Sequence, residues 1–256
     1  MRVTCIQLEM KDQSIGKNRD DLLRMLEQVT ESDLIVLPEI WPTGFFRFDR
    51  YRNESETIDS PTVSLLREKA REKKCYLHMG SFVEKDQNSW YNTSLMFNPE
   101  SEIIAKYHKI HLFGYESEEQ LLLTPGKTVV TVETEFGVIG LSTCYDLRFP
   151  ELFRKMVDQG ATIFLVTSAW PKVRLEAWKL FCRTRALENL SFLISCNCAG
   201  SNEGKQYAGH SMIVNPQGEV LSVVGEGGTI LSGEIDPEES NSFRKSFPAL
   251  NDRVLR

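Results

Sequence analysis

The chain has 256 residues, a mass of 29.3 kDa and a formal net charge of −6 with a sequence pI near 5.4. With no local basic patch to override it, that acidic balance argues against a nucleic-acid partner. Hydrophobic residues make up 41% of the chain and its mean hydropathy is −0.29, an ordinary globular composition. No apolar stretch approaches the roughly 18 residues that cross a bilayer, so a membrane protein is not expected.

In chain order, Met1 to Gln7 is too polar for a signal peptide and reads as a first strand. A helix follows from Asn18 to about Thr30, with Leu22, Leu26 and Val29 on one stripe and Asn18 as its cap. The apolar run Asp33 to Pro38 is a strand that ends on Glu39, and Pro61 to Lys73 is a helix. Cys75 to Val83 and Trp90 to Asn98 are strands, and Asn98-Pro99-Glu100-Ser101 turns the chain into Glu102 to Ala105. Val138 to Leu141 is a short apolar strand leading to Cys144. Phe149 to Gln159 is a helix with Pro150 in its first turn and Gly160 as its stop. Ala161 to Thr167 is a strand, Arg174 to Asn189 a helix and Ser191 to Asn197 a strand, with three more strand-like runs after Gly209. Strands alternating with helices, without linker or repeat, predict one α/β domain over residues 1–256.

Four positions stand just past the carboxyl ends of apolar runs: Glu39, Cys144, the segment Ser168-Ala169-Trp170, and Asn197. In α/β sheets that edge is where chemistry gathers, so these residues are expected to share one cleft. Cys144, at a strand end ahead of a helix, is a candidate nucleophile; backbone amides and the helix dipole there would favour its thiolate. The bland alternative is a buried structural cysteine. The six cysteines, at 5, 75, 144, 182, 196 and 198, lack the paired spacing of a disulfide scaffold or zinc site. Reduced thiols and a cytoplasmic address are expected. His108 and His111 have no Glu or Cys at ligand spacing, so no metal is expected either.

Three blocks resemble, in order and spacing, those of the nitrilase superfamily of carbon–nitrogen hydrolases. They are Leu37-Pro38-Glu39 with Thr43-Gly44-Phe45, Tyr107 to Phe113, and Cys144 to Glu151. Asn189, Tyr207 to Ser211 and Asn215-Pro216-Gln217-Gly218 resemble that family's carboxyl-terminal blocks, so the likeness spans nearly the whole chain. It implies a four-layer α-β-β-α sandwich, a Glu39–Lys109–Cys144 catalytic centre, no metal or organic cofactor, and a homodimer or larger assembly. The family's second glutamate falls on Glu119, seven residues before Gly126, with Glu118 as the nearest misassignment.

Those residue types suit amide hydrolysis, which needs a nucleophile, a proton shuttle and donors for the developing oxyanion. Cys144 attacks after its proton passes to Glu39, which returns a proton to the departing nitrogen. Lys109 and the Tyr145 N–H face the oxyanion. Water, activated by Glu39 and oriented through Glu119, then releases the acid from the thioester. The segments Tyr145 to Arg148 and Ser168 to Pro171 most resemble the branch that hydrolyses ω-amides of small dicarboxylic or 2-oxo acids. Arg174 is the candidate for a distal substrate carboxylate, with a structural ion pair as its alternative. Phe45, Phe113, Tyr145 and Trp170 are expected to line the pocket, and Arg148 to be structural. Other readings are an N-carbamoyl amidohydrolase or nitrilase of the same superfamily, a catalytically silent binding module, and a thiol-redox protein, the last without a Cys-x-x-Cys motif.

Overall fold

A computed structural model describes residues 1–255. The first half of the chain holds strands β1 (Arg2–Gln7), β2 (Glu9–Met10), β3 (Leu34–Val36), β4 (Tyr76–Asp86), β5 (Ser89–Phe97) and β6 (Ile103–His108), with helices α1 (Ile15–Glu27) and α2 (Pro61–Lys73). After the short helix α3 (Glu119–Leu122) come β7 (Thr131–Thr134), β8 (Gly137–Thr143), α4 (Pro150–Asp158), β9 (Ile163–Ser168), α5 (Leu175–Asn189) and β10 (Phe192–Asn197). The chain continues through β11 (Ala199–Asn202), β12 (Lys205–Gln206), β13 (Met212–Val214), β14 (Val220–Val223), β15 (Thr229–Glu234) and α6 (Glu238–Ser246).

Two six-stranded sheets form, ordered β15-β1-β3-β4-β5-β6 and β14-β13-β10-β9-β8-β7. They stack face to face because their central strands are apolar on both sides, and the period of two sends alternate residues to different layers. Val3, Cys5, Leu34 and Val36 meet Ile139, Leu141, Ile163, Leu165, Phe192 and Ile194 between the sheets. Ile6, Ile35 and Leu37 point the other way, onto Leu22 and Leu26 of α1 and Val63 and Leu66 of α2. On the far side, Phe164, Val166 and Leu193 pack under Phe153 and Met156 of α4 and Trp178 and Cys182 of α5. The result is the four-layer α-β-β-α sandwich.

Several boundaries differ from the sequence reading for local reasons. Helix α1 begins three residues before Asn18, capped by Ser14, whose hydroxyl accepts from the Lys17 N–H. Asn18 is instead buried inside the helix and donates to the Pro42 carbonyl, 2.8 Å away, tying α1 to the loop behind Glu39. A 3-10 turn, Cys144–Arg148, separates β8 from α4, so the nucleophile candidate opens this turn and not the helix itself. Edge strand β7, half-buried and only four residues long, carries too little pattern to be seen in the sequence. No helix among the described residues is long and apolar enough to cross a membrane.

Candidate active site

Glu39, Lys109 and Cys144 converge at the carboxyl edge of the paired sheets. Glu39 follows β3 in a loop seated on an irregularity of β4, where the register with β5 shifts between His78 and Ser81. At that bulge Gly80 has φ +68°, and the Ser81 N–H donates to the Pro38 carbonyl at 3.1 Å. The Ser81 hydroxyl accepts from the Ile40 N–H at 3.0 Å, and the Trp41 indole N–H donates to the Met79 carbonyl at 2.9 Å. Glu39 is thus fixed on both sides by the strand beneath it. Lys109 follows β6, its N–H on the Asn92 carbonyl at 2.9 Å.

Lys109, Glu39 and Glu119 are fully buried. The Lys109 Nζ lies 2.8 Å from Glu39 Oε1 and 3.0 Å from each Glu119 oxygen. Asn92 Nδ2 donates to Glu39 Oε1 and Glu119 Oε1, both at 2.9 Å, and so spaces the two carboxylates. Glu39 Oε2 accepts from the Ala169 N–H at 2.8 Å, and Glu119 Oε2 from the Phe113 N–H at 2.6 Å. Every oxygen of Glu119 therefore serves two donors. A carboxylate so fully engaged holds Lys109 and the Phe113 loop in place and has no lone pair left to orient a water. Glu118 beside it is exposed.

The charges settle the resting protonation. Burial alone would lower the Lys109 ammonium, but the Glu119 and Glu39 carboxylates outweigh it and hold its pKa above the ordinary value. Burial, then Glu39, raises Glu119 above its usual range in spite of Lys109. Burial and the Glu39 carboxylate push the Cys144 thiol well up, with Lys109 opposing. The sequence argument for a thiolate favoured by backbone amides is outweighed: the resting nucleophile is a thiol that loses its proton only as it attacks.

Cys144 has φ +48°, in the left-handed region that a non-glycine residue occupies at a cost of about 1–3 kcal/mol. Asp146 supplies the restraint. It is buried and accepts from the Thr143 N–H at 2.8 Å, the Tyr107 hydroxyl at 2.6 Å and the His111 N–H at 3.1 Å, and it pairs with His111 Nδ1 at 2.7 Å. Hydrogen bonds to a charged group contribute about 1.5–3 kcal/mol each, so this set outweighs the strain and ties the cysteine turn to the lysine block. Asn92 and Asp146 escaped the sequence reading. A polar residue inside an apolar strand, and an acid two residues past a candidate nucleophile, are the signals that would have found them.

Cys144 opens into a narrow cavity at the sheet edge. The structure brings all five anticipated pocket residues to it: Phe45, Phe113, Tyr145, Trp170 and Arg174. Phe46, Ala169, Pro171 and Arg148 complete the wall. Arg148 is thus a lining residue, with its guanidinium 5.4 Å from the Trp170 ring and 5.1 Å from that of Phe181. Arg174, in the turn before α5, stacks near Phe113 and Tyr115 at 5.5 and 5.2 Å. Among the described residues neither guanidinium pairs with a carboxylate, so the structural ion pair considered for Arg174 does not form. The cavity therefore offers a thiol, a proton acceptor and two uncommitted cations behind aromatic walls.

Comparison with known proteins agrees with this chemistry. The sequence model of the carbon-nitrogen hydrolase family matches residues 2–245. A 2-oxoglutaramate amidase of Paenarthrobacter nicotinovorans is 36% identical over 98% of this chain and 88% of its own length. The omega-amidase NIT3 of Saccharomyces cerevisiae is 34% identical over 90% of this chain and 84% of its own length. The crystal structure of yeast Nit3, described as a member of branch 10 of the nitrilase superfamily, superposes with a TM-score of 0.90 at 31% identity, covering 100% of this chain and 97% of that one. XC1258 of Xanthomonas campestris, a CN-hydrolase superfamily protein, gives a TM-score of 0.93 at 28% identity, with 100% and 98% covered. The chain belongs to the carbon–nitrogen hydrolases of the nitrilase superfamily.

Proposed function

We propose that the protein is an amidase that hydrolyses the ω-amide of a small 2-oxo dicarboxylic acid and releases ammonia through a thioester on Cys144. The observation that carries this reading is the pairing of a buried Glu39–Lys109–Cys144 centre with a cavity wall holding unpaired Arg174 and Arg148. The names of the relatives above, 2-oxoglutaramate amidase and omega-amidase, support the same substrate class.

The geometry accounts for the steps. Glu39 takes the proton of Cys144 as sulfur attacks the amide carbon, and the oxyanion forms beside the Tyr145 N–H and the Lys109 charge. Glu39, its orientation fixed by Ala169 and Asn92, returns the proton to the leaving nitrogen. Water activated by Glu39 then cleaves the thioester. Glu119 acts through Lys109. At the far end of the cavity a guanidinium receives the substrate carboxylate as a charge-assisted, two-pronged partner.

The test is ammonia release from matched amides with and without a distal carboxylate. Arg174→Ala should lower kcat/KM about 100-fold for the acidic amide, the scale of a lost charge-assisted contact of about 3 kcal/mol, and leave the neutral amide unchanged. Equal loss on both substrates would remove Arg174 from carboxylate binding. Ammonia release retained by Cys144→Ala would reject the reading altogether.

Two further features bear on how the enzyme lives. Val173, Leu180 and Leu187 recur every seven residues on the exposed face of α5 and its leading turn, which supports a homo-oligomer, testable by sedimentation of Leu180→Glu. All six cysteines are free, which supports a reducing, cytoplasmic setting.

A further inference from the structure

Ser168 ends β9 at the floor of the site. The parallel register of β8 and β9 pairs Thr143 with Thr167, so the next residues, Cys144 and Ser168, stand side by side at the sheet edge. On its other flank Ser168 pairs with Asn197. Its carbonyl accepts from the Glu39 N–H at 3.3 Å and the Cys198 N–H at 3.0 Å, so the backbone is firmly held. The side chain is fully buried, yet its hydroxyl has no hydrogen-bond partner. A buried hydroxyl left unsatisfied calls for an explanation, and a reaction intermediate that needs a donor is one.

Most other donors around Cys144 are committed. The Lys109 ammonium donates to Glu39 Oε1 at 2.8 Å and sits astride the two Glu119 oxygens at 3.0 Å each. The Ala169 N–H is taken by Glu39 at 2.8 Å, and the Asn92 amide by both glutamates at 2.9 Å. The Tyr145 N–H is given to the oxyanion, and the Thr143 and Ser168 hydroxyls are without a partner; of these, Ser168 ends the strand beside Cys144.

We propose that Ser168 is a further catalytic residue, whose Oγ–H donates to Cys144 Sγ and steadies the thiolate formed as sulfur gives up its proton. The balance is simple. The proton leaves Sγ for the Glu39 carboxylate, the freed sulfur pair forms the bond to the amide carbon, and the carbonyl π pair moves onto oxygen. Ser168 keeps its proton throughout and returns to an unpaired state once the thioester ties up the sulfur. Burial and Glu39 push the thiol up, while Lys109 and the Ser168 hydroxyl pull it back, the direction this role requires.

The assignment rests on Cys144 as the nucleophile, and one set of measurements separates the two. Cys144 alkylation by iodoacetamide is followed against pH by intact mass, alongside ammonia release and thermal unfolding, in wild type, Cys144→Ala and Ser168→Ala. For Ser168→Ala the alkylation midpoint should rise by about one pH unit and turnover at neutral pH should fall about tenfold. Its unfolding temperature should hold or increase, because an unsatisfied buried group has been removed. An unchanged alkylation profile, or a Ser168→Ala protein that fails to fold, would make the hydroxyl merely structural and overturn the proposal. Turnover retained by Cys144→Ala would overturn the nucleophile reading itself.

Discussion

Replacing Lys109 by Met removes the ammonium that faces Glu39 at 2.8 Å and Glu119 at 3.0 Å, and leaves two carboxylates together in a fully buried site. Breaking a buried ion pair from one side costs about 3–5 kcal/mol, because the surviving charge is stranded. Here two charges are stranded, but the Ala169 and Phe113 N–H groups and the Asn92 amide still donate to them. We therefore expect about 4 kcal/mol of lost stability at pH 7.5. The pH dependence has a definite sign. Glu119 already lies above its usual range, by burial first and by Glu39, even with Lys109 present, and without Lys109 it gains a proton more readily in the folded state. A folded-state pKa above the unfolded one means that stability falls as pH rises, so the deficit of Lys109→Met should shrink on acidification toward pH 5. Adding Glu119→Gln should restore about 2 kcal/mol, a coupling of the size found for residues in one charge network. Urea denaturation followed by circular dichroism at several pH values measures all three quantities. A Lys109→Met protein as stable as wild type at pH 7.5, with no coupling to Glu119→Gln, would refute the buried triad.

Gly80→Ala should displace the Glu39 loop. Its φ of +68° disfavours any side chain, and a Cβ there would lie 2.0 Å from the Pro38 carbonyl oxygen. About 3 kcal/mol of stability and most amide turnover should be lost together, read by thermal unfolding and ammonia release. His78, fully buried on β4, has its pKa lowered by burial from 6.5 to about 4, so it stays neutral while the unfolded chain binds a proton. Stability should therefore fall by about 3 kcal/mol as pH drops from 6.5 to 4, and His78→Gln should flatten that slope in acid titrations followed by fluorescence. A slope that persists in His78→Gln would assign the acid sensitivity elsewhere.

The strands and helices were legible because their causes are local. The stripe of Leu22 and Leu26, the Ser-Pro opening of the helix at 61, and the doubly apolar runs at 34–36 and 163–166 each follow from chain periodicity alone. Glu39, Cys144 and Ser168 were legible as strand-end residues for the same reason, since an apolar run that stops at a polar residue marks the sheet edge. The cap of α1 was misplaced because Ser14 and Asn18 are equally good cap residues in isolation. What separates them is the Pro42 carbonyl that receives the Asn18 amide, 24 residues away.

What the sequence determined by itself was the alternation of apolar strands with amphipathic helices, and the residue types that can cleave a carbon–nitrogen bond. Tertiary structure alone decided protonation and partnership: that Cys144 rests as a thiol, that Glu119 is spent on Lys109 and Phe113, and that Arg148 faces the cavity. The physical reason is that a pKa or a lone pair's occupancy depends on desolvation and on charges within a few ångströms, and Glu39, Asn92, Lys109 and Cys144 become neighbours only when the strands are laid side by side.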